Sequence, residues 1–325
     1  MKILMTGASS FTGCHFVRRL SDAGHTLTAT FTRDRGSSYM DEPRRHRVAM
    51  ASDAAIPVWG CRFGDEAFLE LCRRERFDAI CHHAAEVTDY KREDFDVPAA
   101  LAANTRRARE VFEALAAGGC RRVVLTGSVF EGGEGAGSEG LPHFSPYGLS
   151  KSLSNQALRF HAERAGFHVD KFVVTNPFGP YEEPRFTSFL IKSWAKKQTP
   201  IVKTPAYVRD NIHVDLLAAS YAAFVADPPE APKASDAHVA PGFRRLTPSG
   251  YVETQGAFAE RFAAAMRERL GLPCELELAK QTEFPEPKVR LGVDVPDADA
   301  LGFDESAAWD ELADYYRGHL HENPR

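Results

Sequence analysis

Long hydrophobic runs are missing from this 325-residue chain, and nothing in it approaches the ~20 consecutive apolar residues of a membrane-spanning helix. The start, MKILMTGASSFTG, is apolar for only a few residues before Gly7 and two serines interrupt it, which argues against a signal peptide. Cysteine is sparse and dispersed: Cys14, Cys61, Cys72, Cys81, Cys120 and Cys274 form no CxxC pair, so neither a disulfide framework nor a zinc-ligand spacing is present. Charge of one sign is lacking too. The formal net charge of -5 argues against a nucleic-acid or anionic-membrane surface. These absences lead us to expect reduced, buried thiols in a cytoplasmic protein with no metal, no nucleic-acid partner and no membrane.

What is there is ordinary globular material, 43% hydrophobic and 26% charged, in a chain long enough for one large domain or two lobes. The first half alternates short apolar runs with amphipathic stretches. KILMTG, HTLTATF, FDAICHHAA, RRVVLTGS and HVDKFVVTNPFG read as strands. Helices are predicted over Phe11–Ala23, closed by Gly24, over about Val97–Ala117, and from near Tyr147. Strands alternating with helices of this length predict an α/β fold with a doubly wound parallel sheet of the Rossmann type. Past Asn176 the alternation stops. A Pro-rich loop (228–236) and helices ending at Gly271 and over AAWDELADYYRGHL suggest a smaller lobe built from several excursions. The expected division is residues 1–174 plus about 206–228 for a dinucleotide-binding domain, and about 175–205 with 229–325 for a discontinuous substrate-binding lobe. The glycine-rich run 131–140 reads as a mobile loop.

Two motifs carry chemistry. TGASSFTG (6–13) follows a strand and opens a helix, a setting in which glycines let a pyrophosphate approach backbone N–H groups at a positive helix end. Its middle glycine position is Ser10, and a tight turn without ligand is the alternative. SPYGLSK (145–151) sets Tyr147 and Lys151 at i and i+4, on one helix face. A phenol with a pKa near ~10 is a poor acid–base catalyst at neutral pH, and a nearby ammonium favours its phenolate. Ser128, just after a strand, is placed to hydrogen-bond the same substrate oxygen.

These stretches, with DAICHHAAEV, Asn104 in AANT, VVTNPFGP, VRDNIHVDLLA and LGFDESAAWDEL, make the chain resemble an extended short-chain dehydrogenase/reductase of the NAD(P)-dependent nucleotide-sugar epimerase/dehydratase/reductase family, nearly end to end. The resemblance implies that Tyr147 is the acid/base, that Ser128 polarises the reacting oxygen, and that Lys151 holds the nicotinamide ribose and tunes the tyrosine. It implies dinucleotide contacts from Gly7, Ser9, Ser10, Phe11, Thr12, Gly13, Ala84, Ala85 and Asn104. Asn176, Arg209 and Arg290 match positions that hold a sugar diphosphate; guanidinium forks suit paired phosphate oxygens. The alternative for Arg209 is an ion pair with Asp210 or Asp215. The resemblance also implies a homodimer through the helices starting near Val97 and Tyr147. His82 is expected to be structural, and His83 has no counterpart in the pattern.

At the end of the second strand, where an acid commonly reads the ribose of NAD, the chain has Phe31, Thr32 and Arg33. With Arg62 beyond the third strand, this predicts NADP; a solvated charged turn is the alternative. The expected activity is an NADPH-dependent reductase of a nucleotide-diphosphate keto-sugar, a 4-keto-6-deoxy hexose foremost. The alternatives are an epimerase that keeps its cofactor, a dehydratase for which Glu131 is the outside acid, and a nonenzymatic dinucleotide sensor, which the complete Ser–Tyr–Lys set disfavours.

Overall fold

The chain, seen here as a computed structural model, is described over residues 1–35, 39, 42–227 and 243–322. Two compact units emerge from its contacts. The first comprises residues 1–134, 142–174 and 221–247, and the second 135–141, 175–220 and 248–325. The segment 206–220 clusters with the second unit, and the Pro-rich loop expected at 228–236 lies outside the described residues.

In chain order the elements begin β1 (Lys2–Thr6), α1 (Phe11–Asp22), β2 (Thr26–Thr30), α2 (Glu42–Asp53), β3 (Ile56–Val58), α3 (Glu66–Arg74) and β4 (Ala79–His82). They continue through α4 (Val97–Asn104), α5 (Ala108–Ala117), β5 (Arg122–Ser128), β6 (Ala136–Gly137), α6 (Pro146–Arg164), β7 (His168–Val174) and β8 (Asn176–Phe178). Next come α7 (Phe186–Ala195), β9 (Ile201–Val202), β10 (Val208–His213), α8 (Val214–Ala226), β11 (Arg244–Leu246) and β12 (Tyr251–Thr254). The last are α9 (Gln255–Leu270), β13 (Glu277–Leu278), β14 (Arg290–Leu291) and α10 (Glu305–Glu322).

The first unit is a seven-stranded sheet in the order β11-β7-β5-β4-β1-β2-β3. Every pairing in it is parallel, from Lys2↔Thr26 at one end of the register to Ser128↔Val174 at the other. Strands buried on both faces need continuous apolar runs, and ILM in β1 and VVL in β5 supply them. One face is sealed by Phe68, Phe112, Leu115 and Leu158, which bring α3, α5 and α6 against Leu4, Ile80 and Val123. On the other, Phe16 of α1 stacks on Tyr221 of α8 at 4.0 Å between ring centroids. Strand order reverses between β4 and β1, and such a switch point opens a crevice at the strands' carboxyl ends.

Three local expectations change. The helix predicted over Val97–Ala117 is two helices, because Arg107 takes a left-handed φ of 49. The strand predicted over HVDKFVVTNPFG splits at Thr175: β7 joins the large sheet, and β8 pairs with β10 in the second unit. The run 131–140 is anchored. Glu131 and Glu134 are buried, and Ala136–Gly137 pairs antiparallel with Arg290–Leu291. In the second unit the three-stranded β12-β10-β8 sheet accompanies a core of Phe178, Trp194, Phe258, Phe262, Met266 and Trp309. All six cysteines are buried thiols. No described helix is long and apolar enough to cross a membrane.

Candidate active site

The site in the first unit starts where β1 runs into α1. Gly7 has φ +76, and a Cβ there would come within 2.8 Å of Ala84 N, so only glycine lets this turn lie against the end of β4. A Cβ on Gly13 would meet Gly7 O at 2.2 Å. Ser10, where the pattern calls for glycine, caps α1: its Oγ accepts from Gly13 N (3.1 Å) and donates to Gly7 O (2.9 Å). Ser9, Ser10, Phe11, Thr12 and Gly13 thus form a closed turn at a helix N-terminus, where the aligned peptide dipoles favour a phosphate. This cradle, which side chains would fill, sits at the switch point of the sheet and fits a nicotinamide dinucleotide.

His83, for which the sequence offers no account, ties this turn to the sheet. Its Nε2 lies 3.0 Å from both Ser10 Oγ and Thr12 Oγ1, and its Nδ1 3.0 Å from Thr126 Oγ1 on β5. Burial, then the nearby Lys151, pushes its pKa down to about 3, so the ring is neutral at ordinary pH. His82 is held neutral in the same way and bonds Thr6 Oγ1 at 3.1 Å. Thr6 Oγ1 also accepts from Ala84 N (3.0 Å), and Ala85 follows, half-buried.

Tyr147 and Lys151 stand on the first turns of α6, which Ser145 caps through Gly148 N at 3.2 Å. The Tyr147 ring is half-buried beside Tyr90 (5.2 Å between centroids) and Phe95 (6.1 Å). Lys151 is buried, and its Nζ donates to Thr126 O at 2.7 Å. Burial lowers its pKa to about 8, with Glu131 opposing and Lys171 adding to the shift, so the ammonium persists at neutral pH. Gly148 decides how near the helix comes. A Cβ there would lie 2.0 Å from Phe130 O, two residues beyond Ser128. Ser128 is half-buried, its Oγ accepting from Phe130 N at 3.2 Å. Asn104 accepts from Glu86 N (2.7 Å) and donates to Ser154 Oγ (3.1 Å), which braces α4 against α6 and the segment after β4.

At the other end of the crevice Phe31 is 1% exposed and stacks on Trp59 at 4.5 Å, so an aromatic wall stands where a carboxylate would read a ribose. Thr32 and Arg33 are exposed, with the Arg33 guanidinium 5.5 Å from the centre of the Tyr39 ring. Arg62 is exposed beyond Gly60, close enough to Glu86 to favour that carboxylate's charge.

Asn176, Arg209 and Arg290 belong to the second unit. Asn176 Nδ2 donates to Asp210 Oδ1 at 3.1 Å. Asp210 is fully buried and also accepts from Gly292 N; burial raises its pKa to about 6 against the pull of these bonds. Arg209 bonds Glu286 Oε2 (2.9 Å) and the carbonyls of Val208 (2.8 Å) and Lys288 (3.2 Å), so neither Asp210 nor Asp215 is its hydrogen-bond partner. Arg290 is 2% exposed; burial and the charge of Arg209 work against its own, and Glu286 partly offsets them.

The residues that sequence reasoning missed are those that act through others. His83, Gly148, Asn155 and Lys171 leave a local signal only in Gly148, inside the Tyr-to-Lys spacing, and in Asn155, one turn after Lys151.

The sequence matches the NAD dependent epimerase/dehydratase family over residues 3–240. The chain belongs to that family. It is therefore an enzyme of the extended short-chain dehydrogenase type that works with a nicotinamide dinucleotide. No curated protein matches it. Solved structures agree in fold. A UDP-glucose 4-epimerase from Thermotoga maritima with UDP-glucose superimposes with a TM-score of 0.71 at 17% identity, covering 98% of this chain and 100% of its own. A dTDP-glucose 4,6-dehydratase from Streptomyces venezuelae gives 0.70 at 18%, covering 100% and 99%. A UDP-glucuronic acid 4-epimerase from Bacillus cereus gives 0.71 at 16%, covering 98% and 100%. At such identities the family member shares their fold, and its substrate has to be argued from its own residues.

Proposed function

We propose that the chain is an NADPH-dependent reductase of a nucleotide-diphosphate-linked keto-sugar, a 4-keto-6-deoxy hexose foremost. One observation carries this reading. The set that handles a single carbonyl–alcohol proton is complete in Ser128, Tyr147 and Lys151, whereas the segment behind Ser128 offers no second acid–base pair. Val129 is buried, and the carboxylates of Glu131 and Glu134 turn inward onto Lys171 at 2.6 and 2.7 Å. That disfavours elimination of water and leaves oxidation or reduction at one carbon.

A bound nicotinamide would supply the hydride; the protein's part is orientation and the proton. Ser128 Oγ holds the carbonyl oxygen, and Tyr147 gives it a proton as negative charge develops there. The buried ammonium of Lys151, fixed on Thr126 O, makes a charged tyrosine oxygen tolerable. Thr32 and Arg33, behind the Phe31–Trp59 wall, favour a 2′-phosphate over a 2′-hydroxyl, and a consumed cofactor suits net reduction. Arg209 and Arg290, with Asn176, are assigned to the diphosphate of the substrate.

The test is incubation with NADPH and a panel of nucleotide keto-sugars, following dinucleotide absorbance and product mass. Stoichiometric NADPH loss with a product two hydrogens heavier is the expected result. Cofactor that survives dialysis, with an isomerised sugar and no net NADPH loss, would replace the reductase with an epimerase. Tyr147→Phe is expected to lower kcat roughly 10²–10⁴-fold with dinucleotide affinity little changed; unimpaired turnover in it would remove the mechanism.

A further inference from the structure

Beneath Ser128 lies a buried ionic cluster that the proton-transfer chemistry does not itself use. Glu131 is 1% exposed and takes bonds from three sides: Ser128 N on Oε1 (2.8 Å), Asn155 Nδ2 on both oxygens (3.0 and 3.2 Å), and Lys171 Nζ on Oε2 (2.6 Å). Lys171 turns its remaining reach to Glu134, whose other oxygen meets Arg245 at 3.3 Å. Space for this comes from Gly127, where a Cβ would lie 2.4 Å from Lys171 Cε and 2.9 Å from Glu131 Oε1. Well-packed apolar residues of similar volume often stabilise a fold as well as a buried ionic set does, so stability alone is a weak account of this one.

Its connections point to a second role. Ser128 is the last residue of β5, and Asn155 sits one turn below Lys151 on α6. One carboxylate therefore clasps the strand end that presents the serine hydroxyl and the helix that presents the tyrosine and lysine, through charge-assisted bonds. We infer that Glu131 is a positioning residue, which fixes Ser128 against α6. The inference rests on the reading of Ser128, Tyr147 and Lys151 as the proton-transfer set. The charged and titratable groups that act on Lys151 are Glu131, Lys171 on β7, the neutral His82 that ends β4 and the neutral His83 just after it. Of these Glu131 is the one that opposes the lowering of the Lys151 pKa.

Two substitutions separate charge from reach. Glu131→Gln keeps size and removes charge. With the nucleotide sugar that the wild type turns over, kcat should fall roughly 10- to 100-fold while KM and dinucleotide Kd stay within about threefold. The alkaline limb of its pH profile should move to lower pH, because Lys151 gives up its proton earlier. Glu131→Asp keeps charge and shortens reach; kcat should fall with the limb unmoved. Glu134→Gln removes a charge from the same cluster without touching Ser128 and should leave kcat within about threefold. A Glu131→Gln enzyme with wild-type kcat and pH limb, or equal damage from Glu134→Gln, would overturn the inference. Hydrogen exchange of the Ser128 amide gives a readout free of substrate: about tenfold faster in the Glu131 variants and unchanged in Glu134→Gln is the expected result. If the wild type turns over no nucleotide sugar, the proposed activity fails and the amide exchange alone decides on Glu131, with an unchanged rate counting against it.

Discussion

Two of the buried charge clusters among the described residues, one in each unit, are built on opposite plans. In the first unit Lys171 is closed in by two carboxylates, Glu131 and Glu134, within 2.7 Å, and a buried amide completes the shell. In the second, Asp210 is held by neutral donors only, Asn176 and Gly292, while Arg209 and Arg290 crowd each other near the half-exposed Glu286. The first is compensated from within, which suits a rigid frame. The second gathers positive charge at low solvent exposure, which suits recognition of an anion.

Breaking one partner on each side sharpens the contrast. Lys171→Met leaves Glu131 buried without its counter-charge and Glu134 with Arg245 as its remaining cation, and about 3–5 kcal/mol of stability should be lost in chemical unfolding. A variant as stable as wild type would mean that the frame is not built on this pairing. Arg290→Leu removes a guanidinium from a site where burial already works against its charge. Its unfolding midpoint should hold or rise, and KM for the nucleotide sugar should increase about 10- to 100-fold; a lower midpoint with unchanged KM would reverse the assignment. The smallest effect concerns Asp210. Folded, it keeps its proton up to about pH 6, whereas an unfolded aspartate releases it near ~3.9. Folding therefore takes up protons in that window, and stability falls as pH rises through it. Asp210→Asn should flatten this slope, read from melting curves at several pH values.

The first unit was largely open to sequence reasoning, whereas in the second the helices α9 and α10 were legible and the short strands were not, for a physical reason. In β1, β4 and β5 each strand announces itself by its own apolar run, and the Tyr147–Lys151 spacing is local to one helix. The glycine-rich stretch after β5 looked loose because its partners come from far along the chain: Lys171 for Glu131 and Arg290–Leu291 for Ala136–Gly137. Arg107 breaks a helix with no glycine or proline to mark it; its guanidinium on Glu66 and Glu110 accompanies a left-handed backbone. The imidazole of His83 bridges residues more than 40 positions away on both sides of it. Composition and spacing report neighbours in sequence; these roles belong to neighbours in space.

Thr126 is one residue with two duties: its hydroxyl meets His83 and its carbonyl receives Lys151. A redesign that exchanges one dinucleotide for another therefore has safe and unsafe ground. Edits at the Phe31–Trp59 end leave this junction alone, whereas edits to the glycine turn travel through imidazole and threonine to the amine. On the proposed assignment of Thr32 and Arg33 to the ribose and of Lys151 to the proton-transfer set, cofactor preference and proton delivery can be engineered separately from the far end.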